Sequence, residues 1–104
     1  MNGVELLDLI IENNKKILSL YCDKSHEYGQ VNDRLAMFKY HWLSSKDYNP
    51  KLALWQFLEK HLNSIYEYCN DIAKFDYNKL EEKVNDAILY LILLLALKIE
   101  EIEV

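Results

Sequence analysis

Residues 49–72, NPKLALWQFLEKHLNSIYEYCNDI, carry the clearest repeat in the chain. Trp55, Leu58, Leu62, Ile65, Cys69 and Ile72 recur at alternating steps of three and four. That spacing stacks side chains along one side of an α-helix and forms the seam of a helix bundle. The start of the helix is equally legible. Asn49 can accept a hydrogen bond from the free amides of a first turn, and Pro50 fits the first helical position, where no amide partner is needed.

Working outward, Asn78 followed three residues later by Glu81 has the form of a capping box. It predicts a last helix reaching about Ile102, with Val84, Ile88, Leu91, Leu95 and Ile99 as its core stripe. Inside that helix the run from Ala87 to Leu97 is the most apolar in the chain, yet its length of about 11 residues falls well short of the roughly 20 that cross a bilayer. A helix apolar all round must be covered on every side, so the run is either the central helix of a bundle or part of a subunit interface, and a homo-oligomer is expected.

Toward the N-terminus, Val4, Leu7, Ile10, Ile11, Ile17, Leu18 and Tyr21 predict a first helix from Gly3 to Cys22, interrupted by a solvated patch over residues 13–16. Asp23 to Asn32 reads as a polar loop. A short second helix then starts at Asn32 or Asp33, either of which can cap it, and turns Leu35, Met37, Phe38 and Trp42 inward. The expectation is an all-α domain spanning residues 1–104, a bundle of about four helices that forms an oligomer.

Composition agrees. A chain of 104 residues is the size of one domain, and 51% hydrophobic with 28% charged residues is ample for a core. Two glycines and one proline are too few for a many-turned sheet protein. A net charge of −5 argues against direct binding to nucleic acid, which needs clustered Lys and Arg to displace phosphate counterions. Cys22 and Cys69 lack the paired spacing of a zinc or redox motif and read as small thiols on apolar helical faces. The N-terminus carries Glu5 and Asp8 and no basic segment with a cleavage site. A reducing, cytoplasmic compartment is the expectation, with no membrane partner.

Three groups of residues can carry chemistry. On the last predicted helix, Glu82 and Asp86 stand four apart, within one turn on one face, with Asn85 beside them. Such a pair suits Mg²⁺, which takes oxygen ligands and binds through one or two carboxylates plus water and phosphate. The same spacing also occurs on any solvated helix. On residues 50–72, Glu59, Asn63 and Glu67 form a second polar face, with Lys60 and with His61 near the edge of the apolar seam. Two such helices brought together would place a cation between clustered carboxylates, where it can polarise a phosphoryl group. The competing reading is a mixed-charge face toward water. Third, His26, Glu27, Tyr28, Gly29 and Gln30 with Asp33 and Arg34 lie before a predicted helix start that can receive phosphate, with Arg34 or Lys39 assisting. No serine or cysteine has the context of a nucleophile.

The segment order HEYG, DRLAMFKYHW, ALWQFLEKHLNSIYEY, EEKVNDAILYLILLLAL, covering about Ser25 to Leu97, resembles small phage and prophage proteins of the nucleotide-modification-associated type. These are in turn distantly similar to the MazG-like and dimeric dUTPase-like nucleotide pyrophosphohydrolases. The resemblance implies an all-α protein of a phage-infected or lysogenic bacterial cell that handles nucleotides with Mg²⁺. It implies Glu59, Glu82 and Asp86 as metal ligands, and Arg34, Lys60, His61 and Asn85 are the polar residues nearby in the sequence reading that are expected as substrate contacts. Two departures bear on catalysis. Leu62 stands where the family's first motif has a second acid after Glu59, and the later motif is stretched from a three- to a four-residue step. The other expectation these departures leave open is a non-catalytic phage accessory protein that binds and modulates a host defence protein.

Overall fold

The structure, a computed structural model, describes the backbone of residues 1–28 and 49–103 and the side chains of residues 1–23 and 49–101. Among the described residues the chain is all-helical, with no strand: α1 (Gly3–Tyr28), α2 (Pro50–Cys69) and α3 (Tyr77–Glu103). The predicted second helix, with Leu35, Met37, Phe38, Trp42 and the phosphate candidates Arg34 and Lys39, lies outside the described residues. None of the described helices is long and apolar enough to cross a membrane.

Local chemistry sets the helix ends. Asn2 caps α1, its Oδ1 accepting from the Glu5 amide at 2.9 Å. The helix then runs through Asp23–Tyr28, where the sequence suggested a loop. Those residues are polar but include neither glycine nor proline, and polarity alone does not end a helix. At α2 the expected cap is present, with Asn49 Oδ1 accepting from the Lys51 amide at 3.0 Å and Pro50 opening the helix.

The far end of α2 comes earlier than the 49–72 repeat suggested. Asp71 takes a left-handed backbone (φ 58°). The Ile72 amide then bonds back to the Glu67 carbonyl at 2.9 Å, and the Asp71 amide to the Tyr68 carbonyl at 3.0 Å. This is a Schellman termination with Asp where Gly usually stands. Helix α3 is capped by Asp76, whose Oδ1 accepts from the Lys79 amide at 2.8 Å. The cap is therefore two residues upstream of Asn78, and Glu81 serves a different purpose.

Register follows from paired side chains. Asn13 meets Asn85 and Lys16 meets Glu81, so α1 runs antiparallel to α3. Lys51 meets Glu101 and His61 approaches Asp86, so α2 runs antiparallel to α3 as well. The core between them consists of Ile17, Leu54, Leu58, Ala87, Leu89, Tyr90, Leu93 and Leu97. Leu54 and Leu58 are its most enclosed members.

The inward faces differ from the sequence expectation by a residue or two. On α2 the inward line is buried Leu54 and Leu58 continued by half-buried His61 and Ile65, while Trp55, Leu62 and Cys69 are exposed. On α3 the core takes Ala87, Tyr90, Leu93 and Leu97, while Leu91, Leu95 and Ile99 face outward. Among the described side chains of α1 only Ile17 is buried, with Leu20 and Tyr21 packed at its side. The physical reason is common to α2 and α3. Each has apolar residues on more than one stripe, so a three-four repeat identifies a helix without choosing which stripe its neighbours cover. Both cysteines are exposed, against the reading that placed them on buried faces.

Candidate functional site

Polar residues gather where α1 and α2 both meet the N-terminal half of α3. Asn85 and Asp86 are each only 5% exposed, the two buried polar residues among those described. Asn85 Oδ1 accepts from Asn13 Nδ2 at 2.7 Å. The carboxylate of Asp86 comes within 3.8 Å of His61 Nδ1, an ion pair whenever the imidazole is protonated. Both residues of that pair have further interactions besides this one.

Aromatic packing positions the imidazole. Phe57 and His61 are one turn apart on α2, and Tyr90 is one turn beyond Asp86 on α3. The Phe57 and Tyr90 rings stack with centroids 6.2 Å apart and 7° between planes, and the His61 ring tilts over Tyr90 at 5.4 Å. The antiparallel register thus lays two consecutive turns of α2 on two consecutive turns of α3. Tyr90 fixes the ring plane of His61, and the next turn presents Asp86 to it.

On the α1 side, Lys16 Nζ reaches both carboxylate oxygens of Glu81, at 3.0 and 3.1 Å. This contact, with a hydrogen bond from the Tyr77 hydroxyl, holds the Glu81 carboxyl below its ordinary 4.5. The same bond raises the Lys16 ammonium above its ordinary 10.5. The Tyr77 phenol is raised above 10.0 by its bond to Glu81. Beside this group opens a cleft of about 310 Å³ bordered by Lys16, Ser19, Asp23, Glu81, Glu82 and Asn85. Its walls carry one ammonium against three carboxylates, with amide and hydroxyl groups between them.

Of the residues singled out by sequence, Asn85, Asp86 and His61 come together. Glu82 lies one turn before Asp86, exposed at the cleft. Glu59 and Lys60 are exposed on α2, the Lys60 ammonium resting 5.8 Å from the centre of the Phe57 ring. Arg34 is outside the described residues. Among the described residues no three His, Cys, Asp or Glu side chains form a metal-holding group, so Glu59, Glu82 and Asp86 do not converge as a triad. Glu82 and Asp86 stand one turn apart on α3, Glu82 at the cleft beside α1 and Asp86 toward His61 on α2.

Sequence reasoning passed over Asn13, Lys16, Tyr77 and Glu81. A signal for Asn13 was present: it stands four residues before Ile17 and seven before Leu20, in line with the stripe that packs on α3. An amide in that register needs a polar partner on the neighbouring helix.

The chain matches no protein-family model, no curated protein and no solved structure.

Proposed function

We propose that this chain is a nucleotide-handling protein of the all-α pyrophosphohydrolase type, acting as an oligomeric helical bundle in a phage-infected or lysogenic cell. A nucleoside triphosphate with Mg²⁺ would be held against the Asp86 cluster. The observation that carries this reading is the burial of Asp86 beside His61. Removing a carboxylate from water costs several kcal/mol unless charge or hydrogen bonds compensate, and such groups concentrate at functional sites.

In this reading Glu82 and Asp86 are the metal-facing carboxylates and His61 stands beside Asp86. Asn85, fixed by Asn13, offers its amide nitrogen to a base or sugar. Lys60, and Lys16 at the cleft, meet phosphate oxygens. Mg²⁺, when bound with the nucleotide, neutralises phosphate charge and polarises the scissile phosphoryl group.

The test is a melting-temperature screen of nucleoside triphosphates with Mg²⁺ on the wild type and Asp86→Asn, followed by a pyrophosphate-release assay on any that bind. A ligand at a hundred times its Kd stabilises the folded state by about 2.7 kcal/mol, a shift of several degrees in a domain this size. The reading expects that shift in the wild type and its loss in the variant. No shift with any nucleotide overturns it in favour of the accessory-protein reading.

A further inference from the structure

The outer side of α1 has a repeat that no described residue of the other helices covers. Val4, Leu7, Ile11, Asn14 and Leu18 alternate at steps of three and four, a continuous seam along the helix. The residues of α1 that pack on α3 are Asn13, Ile17 and Leu20, roughly a third of a turn away around the helix. The seam's apolar members are 69%, 54%, 46% and 67% exposed. Together these four leave on the order of 400 Å² of apolar surface along one side of the helix. A patch of about 300–600 Å² is the largest that a typical monomer shows, and such a patch is often functional.

We infer that a second copy of this chain docks on this seam, α1 against α1, antiparallel about a twofold axis near Glu12. Charge selects the occupant and its direction. Asp8 and Lys15 flank the seam on one side, seven residues apart. In an antiparallel pair, Asp8 of each protomer comes opposite Lys15 of its partner, giving two symmetric ion pairs. In a parallel pair Asp8 lies against Gly3 and Lys15 against Ile10 of the partner, and neither finds an opposite charge. Lys15 already bridges to Glu12 of its own helix at 3.0 Å, an exposed contact it can share or exchange. Asn14 is the polar seam residue that fixes register in paired helices at a cost in stability. This inference stands apart from the nucleotide reading, since none of these residues borders Asp86.

Sedimentation equilibrium on the full chain tests it. The wild type is expected at twice the 12.4 kDa of one chain at micromolar concentration. Ile11→Asp buries an unpaired charge in the seam and is expected to be monomeric, with unchanged helicity by circular dichroism because Ile11 is not in the core. Asp8→Lys or Lys15→Asp alone should weaken the dimer roughly tenfold, and the double variant should restore it. Both are surface residues, so this pair of variants remains informative if Ile11→Asp fails to fold. A monomeric wild type, a dimeric Ile11→Asp, or a double variant no tighter than the singles overturns the proposal. So does a dimer broken by Leu95→Asp and not by Ile11→Asp, which would place the interface on α3.

Discussion

Asn13, His61, Asn85 and Asp86 are individually unremarkable polar residues, and each acquires meaning from its neighbour across a helix contact. Asn13→Ala would leave the buried Asn85 oxygen without its donor, a loss of about 1–3 kcal/mol readable by urea denaturation. A change below about 0.5 kcal/mol would mean that water replaces the bond fully. The Lys16–Glu81 pair makes a pH prediction. Glu81 has a depressed carboxyl, so its contribution is present above 4.5 and is lost as pH falls through the depressed value. Lys16 is raised, so its contribution is full below 10.5 and is lost as pH rises through the raised value. Lys16→Met should therefore flatten the acid limb of melting temperature against pH below 4.5, and an unchanged limb would refute the coupling. Asp86 drew attention in the sequence because it stands four residues after Glu82 on one face of a predicted helix, whereas its burial beside His61 could not be read there. Lys16 was not legible, because it sits in a polar stretch of α1 whose contact with α3 no local pattern reveals, and Asn13 was passed over although it stands in line with Ile17 and Leu20.

At the scale of the element, caps and stops follow side-chain chemistry closely. Asn49 and Pro50 were readable because both residue types act locally, within the turn they begin. The stop at Asp71 was not, since a left-handed Asp is chosen by the amides that must turn back to Tyr68 and Glu67. Asp71→Gly should raise stability by about 1 kcal/mol, because Gly adopts this backbone without the steric cost of a Cβ. Asp76→Ala should lower it by about 1 kcal/mol through loss of the α3 cap. Chemical denaturation of the two variants checks both signs, and equal stabilities would contradict the assignments. The periodicity of α2 and α3 identified helices but misplaced their inner faces. Trp55, Leu62, Leu91 and Leu95 are as apolar as the residues that replaced them in the core, so only the neighbouring helix could decide between stripes.

At the scale of the molecule, the antiparallel register of α1 and α2 on α3 brings residues far apart in sequence to one place. Asn13 lies 72 positions from Asn85. That convergence, and the apolar surface left on α1 and α3, depend on tertiary arrangement, which is why the all-helical class was readable and the arrangement of the site was not. The central claim is that the buried Asp86 cluster receives a metal-bound nucleotide. Its most direct test is a calorimetric titration of nucleoside triphosphates with Mg²⁺ into the wild type, Asp86→Asn and the remote control Glu101→Gln. The account predicts saturable binding to the wild type and the control and at least about a tenfold loss of affinity in Asp86→Asn, the effect of removing about 1.4 kcal/mol or more of interaction. Equal affinity in all three proteins, or no binding to any, would contradict it.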